Sequence, residues 1–181
     1  MNAQGKADLA AFQEALARLE ATECWSVVAG STTGSIISLD FGKKIPRARK
    51  LRNQDLTEEQ RNFESEFVLF VECVWRLDGR DAVLCGAWDD NGPEGPMLRG
   101  LKLLEGSLVE KVDLREPGLD LHIQFRGGVN LWIFCDQVSE VEQYDNYVFF
   151  SPETNFTVTW KSRLKLEVSQ RSKVRAVPEP E

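Results

Sequence analysis

The stretch LHIQFRGGVNLWIFCD, residues 121 to 136, constrains the fold more than any other, because two apolar alternations meet at a pair of glycines. Strand side chains alternate between faces, so a one-residue slip in register turns a whole apolar face outward. A three-residue turn, Arg126-Gly127-Gly128, pairs Phe125 with Val129, Ile123 with Leu131 and Leu121 with Ile133, and one face becomes wholly apolar. A two-residue Gly-Gly turn sets His122 against Ile133 and Phe125 against Asn130, mixing polar with apolar on both sides. Burial favours the three-residue turn. It puts His122 across from Trp132 on a face shared with Gln124, Asn130 and Phe134, and Cys135 on the apolar face as an inert thiol.

Short runs of β-branched and aromatic residues divided by Gly, Pro, Asp and Asn continue along most of the chain. They predict strands at 25 to 29, 35 to 41, 67 to 77, 81 to 88, 108 to 114, 119 to 125, 129 to 135, 146 to 150, 156 to 161 and 164 to 168. In FVLFVECVWRL the apolar residues occupy both faces, as in a central strand covered on two sides. FTVTW and LKLEV alternate, turning Phe156, Val158, Trp160, Leu164, Leu166 and Val168 inward. Before the first strand, Leu9, Phe12, Leu16 and Leu19 fall on one stripe and predict an amphipathic helix over 7 to 21, with Asp8 in its first turn. The expected architecture is α+β: this helix packed on a mainly antiparallel sheet, in one domain spanning 1 to 168. The closing SQRSKVRAVPEPE, residues 169 to 181, is poor in large apolar groups and reads as a flexible tail.

A weak internal likeness suggests two related β units, 25 to 90 and 109 to 160. At an offset of 84, Val28 meets Val112, Gly34 meets Gly118, and Ile37, Leu39 and Phe41 meet Leu121, Ile123 and Phe125; at 62, Leu69 meets Leu131, Cys73 meets Cys135 and Trp88 meets Phe150. The difference is an insertion at 43 to 64. Its basic start, with Lys43, Lys44, Arg47 and Arg49, is a candidate contact for phosphate or an acidic partner, followed by an acidic run in which Asp55 or Thr57 starts a short helix.

A net charge of −7 argues against a general affinity for nucleic acid, and the basic segment has no interleaved aromatic to stack a base. Neither an export signal nor a membrane-spanning run of about 18 apolar residues is present, so a cytoplasmic protein with four free thiols is expected. Cysteine spacing gives no zinc pattern, and phosphate-loop, dinucleotide and nucleophile-elbow motifs are missing, so no cofactor is expected. One candidate site combines His122 and Trp132 with the strand-end acids Asp136 and Asp145 around a pocket.

The segments SLDFGKKIPR, ECVWRL, GPMLRGLKLLEG, FCDQ and YDNYVFF resemble those of small, acidic, β-rich bacterial proteins of uncharacterised activity, over most of residues 25 to 160. Some proteins of this appearance are immunity or accessory proteins that bind another protein. What the resemblance implies agrees with the missing catalytic motif: a non-enzymatic protein-binding module, with a small-molecule or hydrolytic site on the mixed β face as the alternative. Sheet edges leave room for a homodimer, whose existence the sequence does not fix.

Overall fold

The computed structural model describes residues 3–139 and 144–170. The chain starts with helix α1 (Ala3–Ala17), whose Leu9, Phe12 and Leu16 are buried. It begins four residues earlier than the apolar stripe alone indicated, so Asp8 lies past the first turn, and Leu19 is fully buried in the turn that follows. The strands are β1 (Glu23–Gly30), β2 (Gly34–Pro46), β3 (Phe63–Val71), β4 (Val74–Asp78), β5 (Val83–Gly86), β6 (Ser107–Arg115), β7 (Asp120–Phe125), β8 (Val129–Phe134), β9 (Tyr147–Phe150), β10 (Thr154–Thr159) and β11 (Arg163–Val168). Helix α2 (Glu58–Asn62) lies between β2 and β3, and α3 (Pro96–Leu101) precedes β6.

All strands join one antiparallel sheet in the order β11-β10-β9-β3-β2-β1-β6-β7-β8-β4-β5. Read outward from its centre, the order pairs like with like: β1-β2-β3 runs one way and β6-β7-β8 the other. Each run is then extended by strands from the opposite half of the chain, β9 and β10 beside β3, β4 and β5 beside β8. This exchange corrects the expectation of one strand over 67 to 77. The run breaks at Glu72 and Cys73, where the chain leaves the first half and crosses to the second.

The registers repeat as well. Cys24–Phe41, Ser26–Asp40, Val27–Leu39 and Val28–Ser38 in β1–β2 have the same sequence of pairs and the same irregularity as Val109–Phe125, Lys111–Gln124, Val112–Ile123 and Asp113–His122 in β6–β7. Leu39–Leu69 and Ile37–Val71 answer to Ile123–Leu131 and Leu121–Ile133. Val27, not Val28, is equivalent to Val112 in this comparison, because nine residues separate Val28 from its partner Ser38 whereas eight separate Asp113 from His122. It also places Phe150 with Asp78 rather than with Trp88, since β9 pairs with β3 as β4 pairs with β8.

At the centre β1 and β6 share only two pairs, Glu23–Leu108 and Cys24–Ser107. Three strand spacings of about 4.8 Å would hold β2 roughly 14 Å from β7 in a flat sheet. Yet the rings of Phe41 and Phe125 stack at 6.5 Å. The sheet is therefore bent sharply at the β1–β6 junction, and the two halves face each other across one core. Long-range hydrogen bonds fasten this closure: the Trp75 indole donates to Ser35 O at 2.7 Å, and the Tyr147 hydroxyl to Leu119 O at 2.8 Å. The helices fill the ends of the core. Phe12 of α1 stacks on Phe156 at 5.0 Å, while α3 lies so close to β5 that a Cβ on Gly100 would stand 2.4 Å from Cys85 Sγ.

The three-residue hairpin has the register that burial favours, with Leu121, Ile123, Phe125, Leu131 and Ile133 all fully buried. Three expectations need correction. Val68 and Phe70 of β3 are half-buried, so that strand is covered fully on one side only. Val168 is exposed, and Trp160 sits in a 3₁₀ turn with the cations of Lys161 and Arg163 over its ring. Of the expected tail, residues 171 to 181 lie outside the described residues. No helix among the described residues is long and apolar enough to cross a membrane.

Candidate functional site

The outer face of the second half carries a row of charged and aromatic side chains fixed by the registers just given. Asp113, His122, Trp132 and Arg76 lie side by side across β6, β7, β8 and β4. Because strand side chains stand roughly perpendicular to the sheet, a row in register packs neighbour on neighbour. The His122 and Trp132 rings stack at 3.8 Å and 9°. The Arg115 guanidinium lies 4.9 Å from the centre of Trp132, Phe134 stacks on Trp132 at 6.5 Å, and Arg76 lies 5.7 Å from Phe134.

Polar contacts lock these groups. His122 Nε2 is 3.0 Å from Asn130 Oδ1, and Asn130 in turn donates to Gly128 O at 3.1 Å. Arg76 donates twice to Asp78, at 2.8 and 2.9 Å. Lys111 pairs with Asp113 at 2.6 Å, which holds the Asp113 carboxyl below the usual carboxylate range. His122 Nδ1 is 3.6 Å from Asp113 Oδ2 and, though buried, lies beyond hydrogen-bond reach of any partner among the described residues. Arg115 makes no ion pair among the described residues.

The acids expected beside His122 sit elsewhere. Asp136 lies at the strand crossover, where its Oδ1 accepts from Val74 N at 3.3 Å. There it lines a cavity of about 240 Å³ together with Glu72, Cys73, Trp88 and Gln137, and His122 is not part of that lining. Asp145 stands near Glu72; burial, and then the negative charge of Asp145, push the Glu72 carboxyl up. The structure thus unites His122 with Trp132 and separates both from Asp136 and Asp145. Two further acids between them, Glu140 and Glu142, lie outside the described residues.

The basic insertion folds back on its own acids. Lys44 pairs with Glu59 at 2.5 Å and lies 5.1 Å over the Trp25 ring, Arg47 pairs with Glu64 at 3.0 Å, and Lys50 with Glu58 at 2.9 Å. Lys43 and Arg49 make no ion pair among the described residues, and Lys43 contributes its backbone N–H to Glu66 at 3.2 Å. The short helix does start at Thr57, through a capping box with Gln60, and Gln60 reaches Ser26 Oγ at 2.8 Å.

Arg76, Asp78, Asp113 and Arg115 belong to the Trp132 face but were not singled out from the sequence. Asp113 and Arg115 were within reach of pattern reasoning, since they alternate outward with Lys111. Arg76 was not, because only the crossover brings β4 beside β8. No group of three or more His, Cys, Asp or Glu among the described residues is arranged to hold a metal ion. Neither a family model, a curated protein nor a solved structure matches this chain.

Proposed function

We propose that the chain is a non-enzymatic binding protein of the immunity or accessory kind, built from two duplicated units, that holds a protein partner on the face around Trp132. One comparison within the molecule carries this reading. The positions equivalent to Asp113, His122, Trp132 and Arg76 are Val28, Ser38, Phe70 and Val148 in the first half. Both halves keep an apolar inner face, as folding demands, yet the equivalent row of the first half carries no charged side chain and Phe70 as its one aromatic. The stacked Trp132 cluster is therefore not a requirement of the architecture, and binding is what remains for it to serve.

Its chemistry suits a protein partner. Trp, Phe and Arg are enriched at the centres of interfaces, and Trp and Arg carry much of the energy there. Side chains already stacked and hydrogen-bonded lose little rotamer freedom when a partner arrives. The net charge of −7 would steer a basic partner, and duplication explains why two runs of strands share bulge and register.

Affinity purification from host cells tests the proposal, using the wild type, Trp132→Ala and Trp160→Ala. A partner retained by the wild type and by Trp160→Ala, lost with Trp132→Ala and weakened by salt is the expected result. Equal retention by Trp132→Ala, or no retained partner in any sample, overturns it.

The second reading, a small-molecule site, rests on the cavity at the crossover with Glu72, Asp136 and Trp88 in its lining. It predicts a ligand-induced thermal shift that Asp136→Asn abolishes and His122→Ala leaves intact.

A further inference from the structure

Cys73 and Cys135 meet where the chain changes halves. The β4–β8 ladder pairs Trp75 with Ile133 and Val74 with Phe134, so one more antiparallel step sets Cys73 opposite Cys135. Both backbones turn their donors away from the facing strand at this step: Cys73 N–H donates to Asn146 O at 3.0 Å and Cys135 N–H to Asp120 Oδ1 at 2.7 Å. The pair is thus of the non-hydrogen-bonded kind, in which opposed Cα atoms approach to about 4.5 Å. That separation is within the roughly 4.4–6.8 Å that a disulfide spans. The neighbouring Cys73 and burial push the Cys135 thiol up, and Cys135 Sγ donates to Leu119 O at 3.3 Å.

The other two thiols have no such counterpart. Cys24 is paired with Phe41 and Ser107, and Cys85 with Leu77, against Gly100. Cys73 also has an approach from outside, since it lines the cavity of about 240 Å³ at the crossover, beside Trp88, which is 85% exposed.

We propose that Cys73 and Cys135 form an oxidative modification site, at which a peroxide joins the two thiols into a disulfide that staples the exchanged strand β4 to β8. Hydrogen peroxide entering the cavity meets Cys73. The sulfur attacks one peroxide oxygen, an S–O bond forms as the O–O bond breaks, and the leaving oxygen departs as water with the thiol proton. Cys135 sulfur then attacks the sulfenic sulfur; the S–S bond forms, the S–O bond breaks, and a second water leaves with the Cys135 proton. Two thiols and one peroxide give one disulfide and two waters. Proximity to Cys73, and then burial, hold the Cys135 thiol protonated, which slows its attack at neutral pH.

The bridge closes the segment from 73 to 135, including the whole hairpin, and constrains the unfolded chain. An increase in Tm of roughly 5–15 °C is expected for a domain of this size. The test treats the native full chain with hydrogen peroxide, followed by intact mass and peptide mapping without reduction. A loss of about 2 Da, two hydrogens, with a Cys73–Cys135 cross-linked peptide supports the proposal. Cys73→Ala and Cys135→Ala must each abolish that loss, whereas Cys24→Ala must keep it; the mass readout decides even if one variant is less stable. A bridge involving Cys24 or Cys85, addition of oxygen without any bridge, or no mass change at alkaline pH overturns it.

Discussion

Ala21 and Gly106 occupy equivalent corners of the two halves, with φ of 64° and 79°, and each reaches into the other half: Ala21 N donates to Val109 O and Gly106 N to Cys24 O, both at 2.8 Å. The next contact outward is also exchanged, for Glu20 accepts from Val112 N at 3.3 Å and Glu105 from Val27 N at 3.4 Å.

A left-handed backbone costs an L-residue roughly 1 kcal/mol that glycine is spared. Ala21→Gly is therefore expected to raise stability by about 0.5–1 kcal/mol, part of the relief being offset by the freer unfolded chain. Gly106→Ala should lose a similar amount, because open space around its Cβ position leaves only the backbone term. Urea midpoints of the two variants, moving in opposite directions, check this.

Tyr147→Phe removes the donor from a fully buried hydrogen bond and leaves Leu119 O without it. A loss of about 1–3 kcal/mol is expected. Equilibrium denaturation measures it, and a neutral result would mean that the tie across the bent sheet contributes nothing to closure.

Gly100→Ala drives a Cβ to 2.4 Å from Cys85 Sγ and 3.1 Å from Cys85 Cβ. Overpacking of this kind costs about 1–3 kcal/mol. Combining it with Cys85→Ala deletes the nearer of the two clashing atoms, so the double variant should be more stable than the sum of the single losses. A double-mutant cycle with no coupling would contradict the close packing of α3 on β5.

Burial pushes the Cys85 thiol up to about 11, and the Cys24 thiol further in the same direction. A folded pKa above the unfolded value means that the folded state keeps its proton longer. The associated stability is present below the unfolded pKa, 9.0, and is lost as pH rises through the folded value of about 11. Urea midpoints measured between pH 8 and about 11 should fall, and Cys85→Ala should make the fall shallower.

Thr57→Ala breaks the capping box that starts α2. The expected cost is about 1 kcal/mol. It should appear mainly as faster amide exchange across 47 to 62, because α2 buries no side chain of its own.

Local pattern reached far into this fold. Alternation and a burial argument were enough to set the 121 to 136 hairpin in register, to oppose His122 and Trp132, and to turn Cys135 toward the core, because strand geometry ties each of these to its neighbours in sequence. The helix stripe named the buried faces of Leu9, Phe12, Leu16 and Leu19, although the helix runs earlier than its apolar positions. The same reasoning merged residues 67 to 77 into one strand, since nothing local marks the step at Glu72 and Cys73 where apolar residues continue but the partner strand changes. That merger hid Arg76 from the Trp132 face.

Side-chain alternation, turn chemistry and the offset likeness of Ile37, Leu39 and Phe41 to Leu121, Ile123 and Phe125 were properties of the chain alone, because each is expressed within a hairpin or between hairpins of one design. Which strand sits beside which, the placing of Arg76 next to Trp132 and Phe134 and the meeting of Cys73 with Cys135 arise only when the halves exchange strands, and Phe41 reaches Phe125 only through the bend at the β1–β6 junction. Those contacts join residues distant in sequence, and their energy is realised by closing one shared core rather than by any local preference.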